Sequence, residues 1–198
     1  LFMLFLFMGL NPERFTKEVH CELMPPFDSD GKSPLWEAVG RRFLNMEYYD
    51  ADLLSRNNKE FILSLFPSST IYETLLPLDA RDAIGKVGKD TIPVKRMLEG
   101  IGFKYTNEVD PFDGGPHYRC KLDQIKPIKN MIEVEIDLTS KFNESDSSLY
   151  LISLPSTEND FRAAKVSAVV NDKKIVINPA ELKALKITKT FKTNAFTI

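Results

Sequence analysis

The chain has 198 residues, of which 43% are hydrophobic and 27% charged, enough to bury a core without disulfides or metals as staples. Its 26 Lys and Arg against 28 Asp and Glu leave a net charge of −2, with no basic block interleaved with aromatics, which argues against nucleic acid as a partner. The two cysteines, Cys21 and Cys120, lie far apart and outside CxxC spacing, so neither a zinc site nor a disulfide framework is expected, only buried free thiols in a reducing, cytoplasmic setting.

Residues 1–8, Leu-Phe-Met-Leu-Phe-Leu-Phe-Met, are intensely apolar. They fall well short of the roughly 20 residues a membrane-spanning helix needs, and they lack the basic start and small-residue cleavage site of a signal peptide. No membrane partner is expected. The run reads as a buried helix or strand, and a chain opening on Leu within it reads as starting inside a structural element. Asn11-Pro12-Glu13 marks a helix start. A strand over 19–24 ends at Pro25-Pro26, with a loop at 28–31.

Ser33-Pro34 opens a helix to about Met46, with Leu35, Val39 and Phe43 on its core face and Glu37 placed to pair with Arg41. Residues 48–54, 59–65 and 71–76 read as short helices broken by Asn57-Asn58, Pro67 and Pro77. Val94, Met97, Leu98 and Ile101 form one apolar stripe of a helix beginning near Thr91-Ile92-Pro93. Gly102 suits the left-handed position after its end, and Phe103 is placed to fold back on Leu98. The period then changes to two: Phe103, Tyr105 and Val109, a turn at Asp113-Gly114-Gly115-Pro116, and a returning strand carrying Tyr118, Cys120 and Leu122.

From about residue 129 a small β-rich module is expected. Its strands are 132–138, 149–154, 165–170 and 173–177, with a hairpin turn at Asn171-Asp172 and a short helix from Asn178-Pro179 to about Leu185. Residues 187–198 read as extended.

Four segments carry a family resemblance. They are Ser33-Pro34-Leu35-Trp36-Glu37-Ala38-Val39-Gly40-Arg41-Arg42-Phe43 with Met46 and Ala51-Asp52; Lys59-Glu60-Phe61-Ile62 with Ile71-Tyr72; Ala83-Ile84-Gly85-Lys86-Val87 with Thr91; and Leu98-Glu99, Gly102-Phe103-Lys104-Tyr105 and Phe112-Asp113-Gly114-Gly115-Pro116. A weaker match covers Phe161-Arg162 and 180–185. In order and spacing the chain resembles arginine N-succinyltransferase over most of 5–185.

The resemblance implies α+β architecture: residues 1–128 as the C-terminal part of an acyl-CoA N-acyltransferase (GNAT-like) fold, followed by the small β-rich module at 129–198. It implies transfer of succinyl from succinyl-CoA, a co-substrate with no bound cofactor or metal, to the α-amino group of arginine in arginine catabolism. A homo- or hetero-oligomer is compatible with it, but the sequence does not reveal the oligomeric state.

Two departures accompany the resemblance. The family's upstream acyl-CoA strand and its pyrophosphate-binding, glycine-rich turn are not in this chain. The family's proton-donor histidine, in a Gln-Val-His-Pro stretch, is matched by Lys86-Val87-Gly88-Lys89, so Gly88 stands at its position.

Amine acylation needs a free amine, a polarised carbonyl and a proton for the departing thiolate. His117 is a substitute donor or a strand-end histidine, and His20 a structural one. Asp113 and Glu37 are candidate partners of a guanidinium, Trp36 a surface for it to stack on, and Arg41 or Arg42 partners of a succinyl carboxylate or CoA phosphate. Gly114 and Gly115 serve the turn or close approach of substrate. For each of these an ordinary structural role is the competing reading. At the level of the whole chain the alternatives are an inactive relative that binds a ligand or subunit, and a structural partner chain.

Overall fold

The computed structural model describes all residues except 58, 59, 61–63, 65 and 156–159. The helix expected over 59–65 lies largely outside the described residues. The chain forms two compact units, one of residues 1–19 with 120–198, the other of residues 20–119.

In the first unit the apolar start is helix α1 (Phe2–Leu10), burying Phe5, Leu6 and Met8. Leu6 packs with Leu151 and Phe196. Asn11 stands at the start of a helical turn as expected, but the turn is a single 3₁₀ one, Pro12–Arg14, and the Asn11 side chain does not cap it; its Nδ2 donates back to the Phe7 carbonyl at 3.0 Å, closing α1.

After a short helix at Lys126–Lys129, five strands close into a barrel: β4 (Ile132–Ile136), β5 (Ser148–Leu154), β6 (Arg162–Asn171), β7 (Lys174–Ile177) and β8 (Lys192–Thr197), in the order β4-β7-β6-β5-β8. Only β4 and β7 are parallel. Alternate residues fill the interior, among them Val134, Ile136, Ile152, Val166, Ala168, Ile175, Ile177 and Ala195. The β6–β7 hairpin turns through Asp172, held at φ 55°. The helix Pro179–Ala184 is capped by Asn178, whose side chain accepts from the Ala180 N–H at 2.9 Å.

The second unit carries most of the three-stranded sheet β1-β3-β2, built from β1 (Glu18–Glu22), β2 (Lys104–Val109) and β3 (Pro116–Lys121). The expected sharing of one sheet by the strands on either side of the 113–116 turn holds, with β2 and β3 antiparallel. The ladder slips between Tyr105 and Val109, where Asn107 has φ 58°. Tyr118 and Cys120 are buried as expected, but Tyr105 is exposed, its ring lying over that of Tyr118.

The helix after Ser33 forms with its expected cap, the Ser33 Oγ accepting from the Trp36 N–H at 3.2 Å, but it is not uniformly α. Residues Trp36–Gly40 make a π turn before the α segment Arg41–Leu44. One extra residue in a turn rotates everything after it by about 100°. Leu35 and Val39 are therefore buried, whereas Phe43, expected in the core, faces solvent.

Tyr48–Asn57 is helical. The expected helix over 71–76 is only a 3₁₀ turn, Glu73–Leu75, and a helix not expected from the sequence covers Leu78–Ala83. The helix Ile92–Gly100 ends as the sequence predicts: Phe103 N–H donates to Leu98 C=O at 3.0 Å and Gly102 N–H to Glu99 C=O at 3.1 Å, with Gly102 at φ 113°. Of its stripe, Leu98 and Ile101 are buried but Val94 is exposed.

Candidate functional site

The loop between β2 and β3 is shaped by its own acceptors. Asp110 N–H donates to Gly115 C=O at 2.8 Å and Gly114 N–H to Asp110 C=O at 2.9 Å, while the Asp110 Oδ1 accepts from Phe112 N–H at 2.7 Å. Gly114 sits at φ 80°, which a side chain would strain. At Gly115 a β-carbon would lie 2.5 Å from the Leu23 carbonyl oxygen, so only glycine lets the loop close on β1's extension.

This closure aims Asp113 inward. Its carboxylate is buried, with Oδ1 accepting from Gly115 N–H at 2.8 Å and Oδ2 from the Tyr48 hydroxyl at 2.9 Å. Burial pushes the Asp113 carboxyl above its ordinary range, opposed by these two hydrogen bonds. Burial, and then the Asp113 charge, push the Tyr48 phenol up as well, so it stays a donor.

Asp113 and Tyr48 border a cavity of about 420 Å³ that is also lined by Glu22, Met24, Asp52, Ser55, Asp110 and Gly115. Four carboxylates thus line it, and among the described residues that do so there is no Lys or Arg. Asp52 is partly balanced by Arg56, at 2.8 Å. Such a rim suits a cationic group, above all a guanidinium, which keeps its charge at all working pH and matches a carboxylate with two N–H donors.

Asp113 and Gly115 are at the cavity, and Gly114 shapes the loop behind them. Trp36 is fully buried, its Nε1 donating to the Met46 carbonyl at 3.1 Å and its ring packed against Tyr48, Phe66 and Phe112. It offers no open face for stacking and instead backs Tyr48 and Phe112, which line the cavity. Glu37 and Arg41 are not among the lining residues; the Arg41 guanidinium pairs with Glu37 at 2.7 Å and also with Glu47.

Gly88 lies beside the chain that leaves β1. Its N–H donates to the Met24 carbonyl at 3.0 Å, and a β-carbon there would be 2.8 Å from the Pro25 carbonyl oxygen. The His117 Nε2 lies 3.8 Å from a Glu22 carboxylate oxygen, and its ring is 4.6 Å from that of His20.

Sequence reasoning missed Glu22, Tyr48, Asp52, Ser55 and Asp110. Asp110 had a signal, since an Asp two residues before Phe112 is poised for a side-chain turn. The others carry none, because their convergence depends on how β1 and the Tyr48 helix meet the loop.

The family model for the arginine N-succinyltransferase beta subunit matches residues 2–127. Arginine N-succinyltransferases of Salmonella paratyphi B, Salmonella newport and Salmonella heidelberg are each 35% identical over 185 residues, covering 92% of this chain and 53% of their own length. The chain thus spans about half the length of the curated relatives it matches. Among solved structures, arginine/ornithine succinyltransferase subunit AI from Pseudomonas aeruginosa is similar with a TM-score of 0.78 and 29% identity, over 99% of this chain and 56% of that one.

Proposed function

The chain belongs to the arginine N-succinyltransferase beta-subunit family, and on that premise we propose that it works in transferring succinyl from succinyl-CoA to the α-amino group of L-arginine, a step of arginine catabolism. Its own share is to hold the arginine. The observation that carries this reading is the buried Asp113, fixed by Tyr48 and Gly115, at the wall of a cavity ringed by Glu22, Asp52 and Asp110. The guanidinium docks against these carboxylates, which leaves the α-amino end free for acylation. Succinyl-CoA is the co-substrate. The sequence from the Ile92–Gly100 helix through the Gly102 stop into β2 supports a GNAT-like arrangement for residues 1–128, with the barrel as the appended module at 129–198.

The matching family is described as a beta subunit and the similar solved structure as subunit AI, which supports a role beside another polypeptide in a cytoplasmic enzyme. No helix among the described residues is long and apolar enough to cross a membrane.

One observation favours a second reading, that of a catalytically silent relative binding ligand or subunit. Gly88 has no side chain where the resemblance puts a proton donor, and the space beside it is filled by the Pro25 carbonyl. General acid–base help is worth roughly 10²–10⁴-fold in rate, so its loss slows turnover without abolishing binding. The two readings separate experimentally. Arginine binding is titrated by calorimetry on the wild type and on Asp113→Asn, and thiol release from succinyl-CoA is followed in parallel. The proposal expects binding that Asp113→Asn weakens. Thiol release by this chain would remove the silent relative, and no arginine binding at all overturns the assignment of the cavity.

A further inference from the structure

Beside the cavity, one face of the sheet carries a group of side chains with ligand character. β1 and β3 run antiparallel, since the Leu23 N–H donates to the Pro116 carbonyl at 3.1 Å and the Leu122 N–H to the Lys17 carbonyl at 2.9 Å. That register sets Glu22 opposite His117 as a non-hydrogen-bonded pair, the closer of the two cross-strand spacings. His20, two residues before Glu22, points to the same face. The ligand atoms of His20, Glu22 and His117 all lie within 4.8 Å of one another.

A second observation marks the same spot. The His117 Nε2 is shut off from solvent and makes no hydrogen bond. Its closest charged neighbour, the Glu22 Oε1, is at 3.8 Å, too far for one. A buried ring nitrogen without a partner is uncommon. A first-row metal binds nitrogen and carboxylate oxygen at about 2.0–2.2 Å, which at a tetrahedral angle sets the two ligand atoms about 3.4 Å apart, so a small movement of the exposed Glu22 side chain lets an ion bridge this gap.

We propose that His20, Glu22 and His117 form a binding site for a divalent transition-metal ion of the Zn²⁺ class. Two imidazoles and one carboxylate make the borderline donor set such ions prefer, and it is a poor set for Mg²⁺ or Ca²⁺, which take oxygen ligands. Three protein ligands leave a fourth, tetrahedral position open to water. His20 and Glu22 are exposed, so their side chains are free to swing onto an ion seated at the more enclosed His117. Cys21 is excluded as a ligand by the strand period, which turns it to the opposite face of β1. The site stands whether or not the cavity takes arginine, although the two share Glu22.

The test is calorimetric titration of the tag-free full chain, stripped of metal by chelator, with Zn²⁺ and in parallel with Mg²⁺. The expected result is one saturable Zn²⁺ equivalent and no Mg²⁺ binding. His20→Ala, Glu22→Gln and His117→Ala each weaken Zn²⁺ by about tenfold or more, given that even groups behind the ligands are worth about 10–100-fold. Circular dichroism checks that each variant is folded. Cys21→Ser binds as the wild type does, and Co²⁺ in place of Zn²⁺ gives the visible absorption of a four-coordinate ion that His117→Ala abolishes. No saturable binding, binding unaffected by the histidine variants, or binding lost in Cys21→Ser overturns the site.

Discussion

Replacing Tyr48 by Phe removes one hydroxyl and leaves the ring packed against Trp36 and Phe27. What it takes away is the hydrogen bond at 2.9 Å to the Asp113 Oδ2. Hydrogen bonds to a charged group are worth about 1.5–3 kcal/mol net, and the acceptor here is buried. For a protein of this size about 1 kcal/mol moves Tm by roughly 2–4 °C, so Tyr48→Phe is expected to lower Tm by roughly 3–12 °C near neutral pH. The pH dependence is the sharper test. The folded Asp113 carboxyl lies above its unfolded value of 3.8, so the folded chain binds the proton more tightly than the unfolded one. The stabilisation from that proton is complete below 3.8 and is lost as pH rises through the raised folded value. The Tyr48 hydroxyl favours the ionised carboxylate and so restrains the rise; without it the folded value climbs further. The penalty of Tyr48→Phe is therefore largest at neutral pH and shrinks as the solution is acidified past the folded Asp113 value. Urea unfolding of both proteins across pH measures it. A penalty that is the same at every pH, or grows in acid, refutes the account of Asp113 as a buried carboxylate held by Tyr48.

Gly88→Ala is expected to cost about 1–3 kcal/mol, since its β-carbon would sit 2.8 Å from the Pro25 carbonyl oxygen; an unchanged urea midpoint would show that the Met24–Pro25 segment yields freely. Trp36→Ala should cost about 3–5 kcal/mol and weaken arginine binding as well, through Tyr48 and Phe112, while its near-ultraviolet dichroism shows whether the aromatic cluster survives. Gly102→Ala forces a side chain into φ 113° and is expected to lose at least about 1 kcal/mol in the same denaturation assay, with β2 and the cavity otherwise intact.

Much of the fold was legible because local chemistry and tertiary packing agree. The stop at Gly102 needed only an apolar stripe, a glycine and Phe103 in sequence, and both Schellman hydrogen bonds form there. Likewise the strand over 132–138 announces itself by period two, since one face of β4 lines the barrel interior. What local pattern does not carry is closure. Nothing in β4 or β8 says that they pair with each other as well as with β7 and β5, because that is a property of five strands together. Phe43 failed for a related reason: its position in the helical period was read correctly from Ser33, but the π turn at Trp36–Gly40 rotates the remaining residues away from the core. Gly40 allows this, being the place where a β-carbon would run into the Trp36 ring at 2.2 Å. A period is only as good as the unbroken turn beneath it.

The site divides along the same line. Asp113, Gly114 and Gly115 form a compact motif whose residues interact within the loop, and they could be picked out together. Glu22 and Tyr48 reach Asp113's cavity from segments distant in sequence, and the first of them is offered only because β1 pairs with β3 in one register. A slip of one residue would turn Glu22 and His20 to the core face and bring Cys21 outward. That register is itself fixed by burial, because Tyr118 and Cys120 of β3 must face inward, which commits His117 to the opposite side. The acidic wall and the histidine pair are thus consequences of the same alternation that buries the sheet. This is why the hydrophobic residues, which carry no chemistry of their own, decide where the chemistry stands.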